Sequence, residues 1–316
     1  MPGGLVSDGS LPASSPLRLA IGVSPRDEKG LDDLLAELYD PASTNYHRYL
    51  SPDEFTARFG PTPAEYQKVI EFARTNGLTI TATQATRLVL DVQGSAADVQ
   101  RAFHVTLLSY RHPTENRNFF APDREPSVDA NVPVKDIQGL SDFERPHPKL
   151  RKMDTRLMVP KNGTSPDGSG SFFGDDFRNA YAPDTTLTGA GQAIGLMQFD
   201  GFYAGDIATY AAAAGNGRTN ITLQTVLLDG YDGTPTTGPN SGNGEVSLDI
   251  EMAMAMAPGL ARIVLFEAGP NGFQNDILSA MAASNSVKNL SCSWGWPGGP
   301  SNTTDVIFKQ MAAQGQ

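Results

Sequence analysis

Glu245-Val246-Ser247-Leu248-Asp249-Ile250-Glu251-Met252-Ala253-Met254-Ala255-Met256-Ala257 runs into Pro258-Gly259. The run reads as one helix, mostly Met and Ala past its first turns and therefore largely buried, with Pro and Gly as its stop. Outward from it the pattern alternates. Apolar runs at 192–199, 221–228, 261–267 and 287–293 read as strands, and stretches at 203–214, 273–283 and 304–313 read as helices. A β-α-β-α series of this kind predicts a parallel sheet covered on both faces. The last helix runs to Gln316 with no strand after it. Four strands are few for such a sheet, so the pattern predicts a fragment of a longer protein.

The first half reads differently. Residues 17–23 alternate as a half-buried strand does. Asp27 precedes a helix with Leu31, Leu34, Leu35 and Leu38 on one face, stopped at Asp40-Pro41. A second helix starts near Thr62-Pro63 and carries Tyr66, Val69, Ile70 and Ala73. Strands at 79–83 and 86–92 follow, then a helix from Ser95 with Val99, Ala102 and Phe103 inward, then a strand at 105–110. This predicts an α+β domain over 15–145, an antiparallel sheet with helices on one face. Residues 146–170 are punctuated by Pro146, Pro148, Pro160 and Pro166 and made basic by Lys149, Arg151, Lys152, Arg156 and Lys161. They read as an exposed linker, a spacer or a cleavage segment, with composition favouring the spacer. The second domain is expected over 171–316.

Composition removes several functions. Among 316 residues, 35 Asp and Glu against 24 Lys and Arg leave a net charge of −11. No basic surplus exists to neutralise a phosphate backbone, so nucleic acid is not an expected partner. No apolar run approaches the length of a membrane span. Residues 1–15 lack the basic and apolar regions of a signal peptide. One cysteine, Cys292, excludes an internal disulfide scaffold; mid-strand, it is expected to be buried and inert. Residues 170–316 hold 13 acids against 5 Lys and Arg. That imbalance suits an extracellular or acid-working protein, because self-repulsion eases as carboxylates protonate.

Two constellations could carry chemistry. Glu245 and Asp249 are four residues apart, hence on one helix face, where like charges repel unless they share a proton or a cation intervenes. Spacing alone leans to a structural role, since acids near a helix N-terminus suit the macrodipole. The second is Asn289-Leu290-Ser291-Cys292-Ser293-Trp294-Gly295-Trp296-Pro297-Gly298-Gly299, a strand opening into a loop with two Trp. That is where ligands sit in open α/β sheets, although two Trp packed over a sheet edge explain it equally well. All four His precede residue 150, so 170–316 cannot hold a Ser-His-Asp triad, and no metal-ligand spacing occurs. Gly163-Thr164-Ser165 lies in the linker before Pro166 and reads as structural. No phosphate loop supports a nucleotide-binding reading. Sequons at Asn162, Asn220, Asn289 and Asn302 matter only in a eukaryotic secretory setting.

Together these residues resemble the sedolisin family of serine-carboxyl peptidases, in its kumamolisin-like branch with an activation prodomain. The stretch Tyr46-His47-Arg48-Tyr49-Leu50-Ser51-Pro52-Asp53-Glu54-Phe55, with Arg58-Phe59-Gly60, is similar to the prodomain signature. Phe173–Tyr181 and Leu187–Phe199 resemble the start of the mature domain, Gly244 to Glu251 the catalytic helix, and Ser291 to Gly295 the strand beside the substrate cleft. The resemblance implies an incomplete subtilisin-like α/β domain after the prodomain. It implies Glu245 as general base, Asp249 hydrogen-bonding and orienting it, and Trp294 and Gly295 at the substrate. At about pH 3–5 a His would be protonated and unable to act as base, whereas a carboxyl still switches. The nucleophilic Ser, the oxyanion Asp and the Ca²⁺ ligands are expected beyond residue 316, so the chain alone is expected to be inactive. Ser247, on the same helix, does not point at Glu245 in an attacking geometry. A Glu that extends the acid network in some members corresponds to Gln198, which cannot titrate. The resemblance further implies a polypeptide substrate, a prodomain that inhibits its own peptidase domain, removal of that prodomain, and an extracellular location. A rival from another class is an inhibitor or binding module acting in trans.

Overall fold

The computed structural model describes residues 4–150, 162–238, 240–296 and 300–316. In chain order the elements are β1 (Ser7–Ser10), β2 (Pro16–Val23), α1 (Glu28–Tyr39), α2 (Pro52–Arg58), α3 (Pro63–Thr75), β3 (Thr79–Thr83), β4 (Val89–Ser95), α4 (Ala96–Phe103), β5 (Leu107–Arg111), β6 (Asn118–Pro122) and β7 (Val134–Gln138). They continue as β8 (His147–Pro148), α5 (Asp175–Tyr181), β9 (Ala193–Gln198), α6 (Ala204–Ala214), β10 (Thr222–Leu227), α7 (Asn243–Met256), β11 (Arg262–Glu267), α8 (Gln274–Ser284), β12 (Asn289–Cys292), β13 (Trp294–Gly295) and α9 (Asn302–Ala313). The chain divides into two units: Met1–Arg145 with Phe273–Asn285 and Pro297–Gln316, and Pro146–Gly272 with Ser286–Trp296. No described helix is long and apolar enough to cross a membrane.

The first unit forms helices where its caps dictate. Asp27 accepts the Gly30 N–H at 2.8 Å, and Ser51 with Glu54 and Thr62 with Glu65 form reciprocal capping boxes that launch α2 and α3, each with Pro in the first turn. The sequence pattern predicts one antiparallel sheet; there are two, ordered β3-β4-β2-β7 and β1-β5-β6. The strand expected at 105–110 pairs with β1 and β6 and stays outside the larger sheet.

The expectation of helices on one face also needs correction. Leu17, Leu19, Ile21 and Val23 of β2 join Leu90 and Val92 of β4 in a core with α3 and α4. Alternation sends Arg18, Ala20 and Gly22 to the opposite face. There the Arg18 guanidinium lies 5.3 Å from the Phe273 ring, α9 packs on β7 and α1, and α8 on β4. Strand β2 is thus buried on both faces, and its small residues mark helix contact.

The grip on α9 is polar at both ends. Asp136 of β7 accepts the Thr303 N–H at 2.7 Å and the Thr303 hydroxyl at 2.8 Å, an anion at a helix N-terminus. Tyr39 donates to the Ala312 carbonyl at 3.0 Å, the Leu50 N–H donates to the Ala313 carbonyl at 2.8 Å, and Lys309 pairs with Asp32 at 2.8 Å.

In the second unit the sheet order is β10-β11-β9-β12, all parallel. β9 is central, and Leu196, Met197 and Gln198 are buried. Gln198 and Glu267 end neighbouring strands in register. The carboxyl ends of β9, β11 and β12 therefore converge, the edge at which such sheets place ligands.

A Cβ on Gly22 would lie 1.9 Å from Thr303 Oγ1 and 2.5 Å from Asp136 Oδ1. Gly22→Val is therefore expected to overpack this face and to cost about 1–3 kcal/mol. A lowered urea midpoint of the 316-residue chain checks it; an unchanged midpoint would show that α9 does not depend on that contact.

Candidate active site

Helix α7 begins after Gly242, which supplies no side-chain cap, and places Glu245 in the first turn. Its far end is closed by arginines. Arg218, fully buried, donates from Nε to the Met254 carbonyl at 2.9 Å and from Nη2 to that of Ala255 at 3.2 Å. Arg178 donates to the Met256 carbonyl at 2.7 Å. Cations on the carbonyl end and acids on the amide end both follow the helix dipole. Arg218 also pairs with Asp175, which compensates its buried charge.

Glu245 is 4 % exposed. Its Oε2 accepts the Leu150 N–H at 2.5 Å. Burial pushes its pKa up, the Leu150 hydrogen bond pulls it down, and the Asp249 charge pushes it up again. One turn on, Asp249 has both oxygens engaged: Oδ1 accepts the Ser293 hydroxyl at 2.6 Å and Oδ2 accepts the Gln198 amide at 2.8 Å. Burial raises its pKa too, offset by those two hydrogen bonds. Gln198 Oε1 in turn accepts the Trp294 indole N–H at 2.7 Å. This fixes the amide's orientation, since a carboxylate only accepts and an indole only donates.

The structure thus brings Glu245, Asp249, Gln198, Ser293 and Trp294 together at the end of β9. Trp294 is buried, edge-on to Phe199 at 5.5 Å, with its polar atom turned to Gln198. Gly295 pairs with His147 through β13 and β8, which run antiparallel, and the Lys149 N–H donates to the Ser293 carbonyl at 3.0 Å. Residues 147–150 therefore lie along 293–295 as an added strand, and the next N–H in line meets Glu245. Residues 151–161 of the expected processing segment, and Pro297, Gly298 and Gly299 of the Trp loop, lie outside the described residues.

Ser293 as a partner of Asp249, the Leu150 N–H and Arg218 are not among the site residues expected from sequence. A backbone donor leaves no trace in sequence. Arg218 had a signal, being one of five basic residues in an acid-rich half. Cys292 was expected to be buried; it is exposed, the last residue of β12 at the sheet edge. Crowding by surrounding atoms nevertheless pushes its thiol pKa up, so exposure does not make it a thiolate. Among the described residues no group of three or more His, Cys, Asp or Glu could hold a metal ion.

Residues 3–143 match the family described as Pro-kumamolisin, activation domain. The chain is 29 % identical to kumamolisin of Bacillus sp. (strain MN-32) over 297 residues, covering 90 % of this chain and 52 % of that protein. It is 25 % identical to sedolisin of Pseudomonas sp. (strain 101) over 320 residues, covering 97 % and 53 %. Against xanthomonalisin of Xanthomonas sp. (strain T-22) it is 24 % identical over 330 residues, covering 97 % and 39 %. The chain spans about half the length, or less, of these curated relatives. The family match over residues 3–143 and the similarity along nearly the whole chain to kumamolisin, sedolisin and xanthomonalisin support a sedolisin-family precursor.

Proposed function

We propose that the chain is the amino-terminal part of an acid-acting serine-carboxyl endopeptidase precursor, held inactive by its own segment 147–150. The observation that carries this is the Leu150 N–H on Glu245 Oε2, delivered by a strand that pairs antiparallel with β13. Peptides are recognised by strand addition of this kind, in which main-chain hydrogen bonds align the guest. The carboxylate is thus occupied by a backbone donor where the reaction needs a hydroxyl.

In the working enzyme Glu245 accepts the proton of a serine hydroxyl as its oxygen bonds to the substrate carbonyl carbon, and returns that proton to the departing amine. Asp249 positions and tunes Glu245 through its charge one turn away, and is itself held by Ser293 and Gln198. The reading takes the serine and the oxyanion carboxyl from sequence outside these residues. It includes Ca²⁺ for the complete protein, held outside the described residues, and no step is assigned to it. Gly295 and the backbone at Ser293 form the edge that aligns substrate, with Trp294 beneath. Secretion and cleavage within the basic segment after Leu150 belong to the same proposal.

In the protein carried through to the length of its relatives, Glu245→Gln is expected to lower kcat about 10²–10⁴-fold with KM little changed. Asp249→Asn is expected to be weaker and to move the acid limb of the pH profile. Steady-state peptide hydrolysis after prodomain removal is the measurement. Full activity of the Glu245→Gln enzyme would end the proposal.

Acidification acts oppositely on two sets of carboxylates. Hydrogen bonds at the caps hold Glu54, Glu65 and Asp98 of the activation domain below the usual range, and Arg124 with the Thr106 N–H holds Asp123 at about 2. What these acids contribute is present above the unfolded pKa of about 4 and is lost as pH falls through their lower folded values. Burial instead raises Glu245, Asp249 and Glu251, and takes Glu267 to about 8. Their contribution is present below about pH 4 and is lost as pH rises through the folded values. Hydrogen exchange compared at pH 7 and pH 3 is therefore expected to lose protection in α2, α3 and α4 and to keep or gain it in α7 and β11. Uniform loss would contradict an acid-released prodomain.

A further inference from the structure

Asp200 lies two residues past the end of β9, is 1 % exposed, and takes no part in the chemistry above. It accepts the Gly201, Thr236 and Gly242 N–H groups at 2.8 Å each, and the Thr236 hydroxyl as well. Tyr231 approaches it at 3.4 Å. One carboxylate thus gathers both ends of the loop 231–242, whose last residue is the N-cap of α7, three positions before Glu245. Gly242 has nowhere else to go: a Cβ there would lie 2.4 Å from Trp294 Cη2 and 3.2 Å from Asp200. With no side-chain cap on α7, this buried anion beside the first turn complements the dipole from outside the helix.

We infer that Asp200 is a positioning residue for Glu245, setting where the first turn of α7 starts and hence where that carboxylate stands against Asp249 and Ser293. The inference rests on the proposed role of Glu245 for its catalytic meaning, but not for its geometry. The titratable groups beside Asp200 are Tyr231 and Glu267. Glu267 is 1 % exposed, and its Oε1 has no hydrogen-bond partner among the described residues. Burial, and then the Asp200 charge, push its pKa to about 8. Below that Glu267 holds its proton, beside the Asp200 oxygens that take the N–H donors. Two charges there would repel, and a neutral Asp200 would leave three buried N–H groups facing a poorer acceptor.

The test uses the 316-residue chain with ¹³C-labelled Glu side chains, Glu245 being assigned by the signal lost in Glu245→Gln. Asp200→Asn is expected to lower the titration midpoint of Glu245, by loosening the first turn of α7 and letting water reach a carboxyl whose pKa burial holds up. Amide exchange over 236–246 is expected to quicken about tenfold while β11 keeps its protection. Asp200→Glu is expected to restore the midpoint in part. Thr236→Val, which removes one hydroxyl donor and keeps the backbone N–H, gives the same direction with smaller size and serves if Asp200→Asn does not fold. An unchanged Glu245 midpoint in the folded variants, or equal loss of protection everywhere, overturns the inference. Either result is independent of the Glu245→Gln kinetics that judge the catalytic role.

Discussion

Two carboxylates one helical turn apart, taken largely out of water, would ordinarily repel each other and desolvate at a cost of several kcal/mol per charge. The site is built around that constraint. Among the described residues, Asp249 is given two donors, the Ser293 hydroxyl and the Gln198 amide, and Glu245 a single backbone N–H. The asymmetry matters. A carboxylate with both oxygens donated to is held toward its charged form, each such bond contributing about 1.5–3 kcal/mol. The neighbour with one donor and a charge beside it is left as the group that takes a proton first. Which acid of the pair is held toward its charged form is thus decided by who donates to whom.

The same economy explains the placement of small residues in the activation domain. A sheet with only one covered face would alternate apolar and polar along β2, but Ala20 and Gly22 sit where polar residues would, because α8 and α9 need the room. Asp136 and Asp32 then supply anions that meet the Thr303 N–H of α9 and the ammonium of Lys309.

Much of the fold was legible in the sequence because its signals are local. The caps at Asp27, Thr62 and Ser95 mark α1, α3 and α4, and the strand-helix alternation from residue 192 marks β9, α6, β10, α7, β11, α8, β12 and α9 within a residue or two, while β13 falls in what reads as a loop. Helix α2 carries a local signal too, the capping box of Ser51-Pro52-Asp53-Glu54. What could not be read is non-local. The split into two sheets depends on β5 choosing β1 and β6, polar or short edge strands with no periodicity of their own. At the site, the acid pair and Gln198 stood out by spacing and resemblance. The Ser293–Asp249 bond and the Leu150 donor exist only once distant segments meet.

Gln198 carries the last step. An indole above and a carboxylate below require a link that accepts on one side and donates on the other, and a primary amide does so without a proton of its own to lose. A carboxyl in the same place could accept from Trp294 in either state but could donate to Asp249 only when protonated. The network would then hold its geometry at acid pH and break it near neutrality. With an amide, the Trp294–Gln198 link has no proton to lose, and the proton count of the network reduces to two coupled acids, Glu245 and Asp249. The fold therefore separates two functions: a pH-independent frame of Trp294, Gln198 and Ser293, and a titrating pair mounted on it.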